Sequence, residues 1–381
     1  MRLYDTRTRR LVPFIAGRTV RVYVCGITPY DASHLGHAFT YTCFDALVRY
    51  LEHAGHRVRY ARNVTDVDDD ILGKARELGV DYLDLADRET ARFDRDLAGL
   101  GLRAPDASPR ATAAVPAIVA AVDGLARRRA AYALDDGRVY FDTGATPGFG
   151  ALSRLDRPAM LREFAEKGGD PEAGGKRDAL DFLLWQPSAA GEPSWPSPWG
   201  PGRPGWHIEC SVMAMEELGG VIDIHGGGVD LVFPHHEAEI VQAEELTGQR
   251  PFARLWLHAG MVGLDGAKMS KSRRNLVFVT DLLECYEGAA VRRYLLEHHY
   301  RSTWAYADAG LDDAAAAYKR WVEAAGSPGW RGDLRAAFHA AMADDLDTPT
   351  ALAVLDEAAR AGAGATLREL AAVLGFALPD G

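Results

Sequence analysis

Cysteine is scarce in this chain: four residues, Cys25, Cys43, Cys210 and Cys285, in 381. That is too few for a disulfide framework and leaves free thiols or metal ligands as the expected roles. Long apolar runs are missing, and the N-terminal Met1-Arg-Leu-Tyr-Asp has no apolar signal core. A cytoplasmic protein with no membrane partner is therefore expected. Basic clusters are also short, Arg127-Arg128-Arg129 and Lys271 with Arg273-Arg274 coming nearest, and the formal net charge is −11. A dedicated binder of phosphate backbones would usually be basic, so this composition lowers the expectation of nucleic-acid binding, though a local patch would suffice for it. Internal repeats and low-complexity tails are missing too. What remains, 48% hydrophobic and 25% charged, can bury a substantial core in two or three domains.

Residues 20–25 alternate around Val20, Val22 and Val24 and predict a strand. The turn Gly26-Ile27-Thr28-Pro29-Tyr30 follows, then a helix over 37–53 with Phe44, Leu47, Val48 and Leu51 on its apolar face and Gly55 beyond its end. Residues 58–63 predict the next strand. Strand, turn, helix, strand begins an α/β fold with a parallel, doubly wound sheet, whose ligands sit beyond the carboxyl ends of the strands. Cys25, His34 to His37, and Asn63-Val64-Thr65 all fall on that edge. Residues 1–108 would form the first half of this catalytic domain, and 196–279 its second half. Between them, 109–195 reads as an insertion, largely helical to 184, with a small β-element near 138–141 and a Pro-, Gly- and Trp-rich loop over 186–205. Residues 280–381 read as a helical C-terminal domain.

Cys25 closes the first strand, Cys210 follows Gly205-Trp206-His207-Ile208-Glu209, and His235 and Glu239 stand four apart. If 234–243 is helical, that spacing puts imidazole and carboxylate on one face. Taken singly, each residue is ordinary: a small core thiol or a solvated helix carboxylate. Together, two thiolates, an imidazole and a carboxylate make a good donor set for one zinc ion. No local zinc-finger spacing exists, and His236-Glu237 lacks the further histidine of a metalloprotease helix. A thiol substrate could take an exchangeable position on such an ion. Serine offers a harder, far less acidic oxygen, so metal chemistry would separate cysteine from serine where size cannot.

Two short motifs flank this set: HLGH, His34 to His37, and KMSKS, Lys268 to Ser272. In the first, Gly36 adds no bulk at a helix start that favours anions, and His34 and His37 would hydrogen-bond phosphates as the α-phosphorus passes its transition state. In the second, Lys268 and Lys271, near Gly263 and Gly266, would close on the β- and γ-phosphates and stabilise departing pyrophosphate. Alone, HLGH is a weak signal, since exposed histidines at a helix cap are ordinary; KMSKS is the stronger, although two lysines are usually a solvated basic loop. In this order they indicate an enzyme that joins a carboxylate to AMP. Gly226-Gly227-Gly228 marks either backbone close to a ligand or a tight turn, without matching the dinucleotide or phosphate-loop fingerprints. Trp206 could wall an amino-acid pocket or serve as a structural residue. Asp66, Asp68, Asp69 and Asp70 read mostly as a helix cap and solvated face.

HLGH and KMSKS, with Val24-Cys-Gly-Ile-Thr-Pro-Tyr-Asp31 before and Gly205-Trp-His-Ile-Glu-Cys-Ser211 between, resemble the class I aminoacyl-tRNA synthetases, and within them the cysteinyl branch, over nearly the whole chain. The resemblance implies a Rossmann-like nucleotide-binding parallel sheet with an inserted segment and a C-terminal helical domain. It implies catalytic roles for His34, His37, Lys268 and Lys271. It places a cysteinyl-adenylate against Cys25, Gly26, Ile27, Thr28, Thr40, Asn63, Val64, Thr65, Trp206, Gly228, Val229, Asp230 and Val262. Zinc would be held by Cys25, Cys210 and His235, with Glu239 as fourth ligand.

Two members of the branch share this activation step. Cysteinyl-tRNA synthetases charge tRNA, whereas the similar mycothiol-pathway ligases pass cysteine to the amine of glucosaminyl-inositol. The ITPYD form of the first motif, Glu166-Lys-Gly-Gly-Asp-Pro171 beside the ligases' ERGGDP, and an end at Leu374-Gly-Phe-Ala-Leu378 favour the ligase. His225 and Glu239 follow the synthetase pattern instead, and Arg274 departs from both, where glycine is usual. The expectation is thus a monomeric, zinc-dependent cysteine ligase that uses ATP with Mg2+. Its partners would be cysteine, ATP and an amino-sugar inositol, with tRNA only under the alternative. No side chain stands out as general base for the transfer.

Overall fold

The structure, a computed structural model, describes residues 1–30, 34–264, 267–268 and 276–380. An antiparallel hairpin, β1 (Arg2–Asp5) and β2 (Arg10–Pro13), precedes the first long strand, β3 (Thr19–Ile27). Thr19 and Arg21 face out while Val20 and Val22 face in; from Tyr23 to Cys25 every residue is buried, as in a parallel strand covered on both faces. α1 (Leu35–His53) starts two residues earlier than its apolar pattern predicts. The reason is its cap: His34 Nδ1 accepts the Gly36 N–H at 3.1 Å. β4 (Arg57–Val64) then pairs parallel to β3, with Val20 opposite Val58, Val22 opposite Tyr60 and a register shift before Ile27 meets Val64. α2 (Asp69–Leu78), capped by the Asp68 carboxylate, and α3 (Tyr82–Gly99) follow.

The stretch from α4 (Ala111–Arg127) to β8 (Gly202–Pro204) holds more sheet than its composition indicates. β5 (Ala131–Ala133), β6 (Val139–Phe141), β7 (Leu183–Pro187) and β8 form a four-stranded antiparallel sheet, with α5 (Arg157–Glu166) between β6 and β7 in the chain. Aromatic neighbours explain it: Tyr132 sits opposite Tyr140, and Phe141 stacks on Phe182 at 5.0 Å, side-chain contacts that outweigh the local Ala, Gly and Pro content.

α6 (Trp206–Leu218), β9 (Ile222–Gly228), α7 (Glu237–Thr247) and β10 (Ala253–Ala259) return the chain to the first sheet. Its order is β10-β9-β3-β4, parallel throughout. The fold is thus α/β with a parallel sheet, as the strand, turn, helix, strand pattern predicts. From β3 the chain winds outward to β4 on one side, and later strands fill the other, so the crevice between the ends of β3 and β9 is the switch point where such sheets bind ligands. β11 (Val262–Leu264), β12 (Ala267–Lys268) and β13 (Trp304–Tyr306) make a small sheet. α8 (Val279–Cys285) and α9 (Gly288–Leu296) lie between them, so β13 interrupts the expected run of helices. α10 (Asp308–Ala325), α11 (Gly332–Ala343), α12 (Thr348–Arg360) and α13 (Gly364–Val373) complete the chain. Asp45 of α1 braces the two ends: it pairs with buried Arg292 of α9, whose Nε donates to Leu374 O at 2.6 Å. Among the described residues no helix is long and apolar enough to cross a membrane.

Candidate functional site

At the switch point lies a cavity of about 460 Å3. Cys25, Gly26, Ile27 and Thr28 enter it from the end of β3, and His34, His37 and Thr40 from the start of α1. Trp206, Gly228, Asp230 and Val262 close the other side. Gly26 is required by close backbone approach, since a Cβ there would stand 1.6 Å from Asn63 O. The His34 and His37 rings stack with centroids 3.9 Å apart, and His37 meets Phe93 edge-on. The Leu35 N–H donates to Val277 O at 2.8 Å, and His34 pairs with Phe278, which fastens HLGH to the residues following KMSKS. Of KMSKS itself, Met269 to Ser272, Lys271 among them, lie outside the described residues, as does Arg274. Lys268 is described only as backbone in β12, opposite Gly263.

Four of the expected adenylate contacts do not line this cavity. Asn63, in β4, works through neighbours: its Oδ1 accepts the Gly26 N–H at 2.9 Å and its Nδ2–H donates to Cys210 Sγ at 3.3 Å. Thr65 reaches the cavity through Thr28, the two hydroxyls being 2.8 Å apart. Val64 is a buried strand residue, and Val229 is exposed, turned toward a separate cavity with Arg9 and His258. Gly226 and Gly227 belong to β9 and form no turn; a Cβ on Gly226 would collide with Leu257 O at 2.2 Å, so here the glycines serve strand packing.

Behind the cavity the ligating atoms of Cys25, Cys210, His235 and Glu239 all lie within 4.8 Å of one another, every residue buried. Cys25 Sγ is 3.6 Å from Glu239 Oε2, and His235 Nε2 is 4.0 Å from it. The predicted helix is broken here: 232–236 form an irregular turn, with Phe233 in extended backbone, before α7 begins. Glu239 still falls within reach of His235. His225 and His236, which the sequence did not single out as ligands, complete a second overlapping group with Cys25 and Glu239. His225 Nε2 lies 3.2 Å from Glu239 Oε2 and its ring stacks on Trp256, away from the cavity. The adjacency of His235 and His236 was the one sequence signal for this second group.

The chemistry of this cluster fits a divalent ion. His235 Nε2, His236 Nε2 and Glu239 Oε1 are buried with no hydrogen-bond partner, an expensive arrangement unless a cation satisfies them. His207 Nδ1 lies 2.9 Å from His235 Nδ1, which leaves the His235 Nε2 lone pair directed into the cluster when His235 is the donor. Burial drives both His235 and His236 well below the ordinary histidine range, so they stand as neutral ligands. Burial also raises the Cys25 and Cys210 thiols, Asn63 partly opposing the rise at Cys210. A bound cation would reverse that rise and hold thiolates.

Comparison with known proteins follows the same lines. The family model described as tRNA synthetases class I (C) catalytic domain matches residues 11–316. A Frankia alni protein named L-cysteine:1D-myo-inositol 2-amino-2-deoxy-alpha-D-glucopyranoside ligase is 52% identical over 353 residues, 91% of this chain and 85% of that one. A Frankia casuarinae protein of the same name is 50% identical over 359 residues, covering 93% and 77%. Among solved structures, Mycobacterium tuberculosis methionyl-tRNA synthetase with methionyl-adenylate superposes with a TM-score of 0.62 at 18% identity, over 93% of this chain and 89% of that one.

Proposed function

Because the chain belongs to the class I tRNA synthetase (C) catalytic-domain family, we propose that it activates cysteine with ATP and passes the cysteinyl group to the amine of glucosaminyl-inositol. One observation carries this reading: relatives named as that ligase are 50% and 52% identical over more than nine tenths of the chain. The cysteine carboxylate attacks the α-phosphorus, forming cysteinyl-AMP and releasing pyrophosphate. His34 and His37, stacked at the N-terminus of α1, donate to the phosphate oxygens as charge shifts onto them. Lys268 and Lys271 are assigned to the β- and γ-phosphates, with Mg2+ accompanying ATP. The buried group Cys25, Cys210, His235 and Glu239 would hold zinc. That ion, when bound, supplies a soft acceptor for sulfur and hence preference for cysteine over serine. Asn63 keeps Cys210 and Gly26 in place, and Trp206, stacked on His235 at 4.2 Å, walls the site beside it.

The proposed organisation is a nucleotide unit formed by 1–108 and 196–279, an insertion over 109–195 and a helical 280–381, acting as a cytoplasmic monomer. A second reading, charging of tRNA, is favoured by the His225–Glu239 contact at 3.2 Å, both residues being of the synthetase pattern. The deciding experiment supplies cysteine and ATP with either glucosaminyl-inositol or cysteine tRNA and follows products by mass spectrometry. Amide and AMP in the first arm support the ligase. Charged tRNA with no amide would replace it by the second reading.

A further inference from the structure

A second cavity, of about 260 Å3, opens beside the first and shares Thr28, Asp70 and Trp206 with it. Its far wall is the inserted segment: Tyr140, Phe182, Gln186 and the 167–170 loop. Its near wall is the start of α2, Asp68 to Asp70. Lys167 and Lys176 also line it, yet both ammonium groups are committed to backbone carbonyls, Lys167 to Asp230 O and Phe233 O, Lys176 to Asp170 O and Ala179 O. Asp69 is paired with Arg203, and Asp181 is saturated by Tyr132 and Thr143. The wall is therefore electronegative and mixes carboxylates with aromatic rings. A cationic, hydroxyl-rich amine suits it better than a polyanion does.

Asp68 sits where the two cavities meet. One of its oxygens caps α2 by accepting the Asp70 and Ile71 N–H groups, and the other accepts the Thr28 hydroxyl at 2.7 Å. Resting on the acceptor reading above, we propose that this second cavity seats the amino-sugar acceptor and that Asp68 is the base that frees its amine for attack on the adenylate. The acceptor enters as an ammonium ion. Asp68 takes one proton, and the nitrogen lone pair forms the C–N bond at the cysteinyl carbonyl. The bond from that carbon to the phosphate oxygen then breaks, its electron pair leaves with AMP, and the second ammonium proton departs with the phosphate. Burial pushes the Asp68 carboxyl up to about 6, opposed by the Thr28 bond and reinforced by Asp70, which suits proton exchange near neutrality. The charged groups around it are Asp69 and Asp70 on its own helix, Glu209 of α6, and Arg203 of β8, which is held by Asp69 and Glu192.

The test separates the two half-reactions in Asp68→Asn, which retains the capping oxygen. Cysteine-dependent exchange of pyrophosphate into ATP should stay within about threefold of the parent. Single-turnover transfer to glucosaminyl-inositol should fall by about 100-fold or more, and its decline below pH 6 should vanish. Gln186→Ala, checked for an unchanged melting curve, should raise the acceptor KM about tenfold without altering exchange. Equal losses in both half-reactions, or undiminished transfer, would remove Asp68 from the role. An unchanged acceptor KM in the Gln186 variant would remove the acceptor from this cavity. If the parent enzyme forms adenylate yet never modifies glucosaminyl-inositol, the acceptor reading fails first, and this assignment with it.

Discussion

Replacing Asn63 by alanine probes how the proposed zinc group is tuned from outside its ligand set. The carboxamide makes two bonds, accepting the Gly26 N–H at 2.9 Å and donating to Cys210 Sγ at 3.3 Å. A hydrogen bond to an ionised partner contributes about 1.5–3 kcal/mol. Loss of a partner that orients a metal ligand lowers metal affinity about 10- to 100-fold, or roughly 1.4–2.8 kcal/mol at 1.4 kcal/mol per decade. The two routes agree, so zinc affinity of Asn63→Ala should drop 10- to 100-fold in chelator competition, in line with those magnitudes. The Cys210 thiol already stands above its ordinary value through burial, and the bond from Asn63 opposes that rise. Without it the thiol climbs further. Because it stays protonated around neutrality in either protein, the affinity deficit should not vary with pH there. The Gly26 N–H has a separate readout, since an orphaned buried donor costs about 1–3 kcal/mol in metal-free denaturant unfolding. A variant that keeps parental zinc affinity would refute the tuning role, whatever its stability.

Other outcomes follow from the same geometry. Burial raises both Cys25 and Cys210, and each must release a proton to bind zinc, so affinity should fall as pH drops, by up to about 100-fold per unit. Calorimetry in buffers of different ionisation enthalpy counts those protons, and a count of zero would exclude thiol ligands. Gly26→Ala drives a Cβ to 1.6 Å from Asn63 O where β3 packs against β4, so a loss of about 3 kcal/mol or more is expected in denaturant midpoints; a parental midpoint would contradict the packing. His34→Ala removes both a helix cap, about 1 kcal/mol, and a phosphate donor, so pyrophosphate exchange should fall about 100-fold or more with only a modest shift in melting. Exchange at the parental rate would leave His34 a structural cap alone.

The parallel sheet was legible because β3 and β4 carry their burial in plain alternation before both faces close over. The antiparallel sheet of the insertion was not. Its strands are three to five residues long and its contacts are aromatic pairs distant in sequence, Phe141 with Phe182 among them. Cys25, Cys210, His235 and Glu239 were named together from residue chemistry, and the structure gathers them. Their neighbours were harder to see. His225 lies on a strand, where alternation gives two faces but not which one meets the thiols, and His236 was signalled only by its adjacency to His235. No single motif outlines the second cavity, which draws Lys167 to Asp170 from the 166–171 signature and Gly205 to His207 from the 205–211 motif, and takes the rest from distant positions 28, 68–70, 140, 164, 176, 181–183 and 186. Asp66 to Asp70, read from sequence as a cap and a solvated face, divide on folding. Asp68 caps α2 yet turns its other oxygen inward to Thr28, and Asp66 is fully buried, accepting from Thr112.

Net charge alone spoke weakly about the acceptor, since a chain of −11 can still carry a basic patch. Position is more informative. A polyanion entering the second cavity would meet Asp68, Asp70 and Asp170, while Lys167 and Lys176 direct their protons at carbonyl oxygens. Two like charges 4 Å apart at an effective dielectric constant of 20 repel by about 4 kcal/mol, and a single ammonium in the same place gains by a similar amount. The Lys167 bonds carry a further consequence. By fastening the insertion to Asp230 and Phe233, they join the wall of the second cavity to the turn that carries His235 of the proposed metal group. Lys167→Met should therefore weaken both cysteine-dependent exchange and acceptor binding, whereas Gln186→Ala affects the acceptor alone. Measured side by side, matching profiles in the two variants would show that the cavities are not linked through this loop.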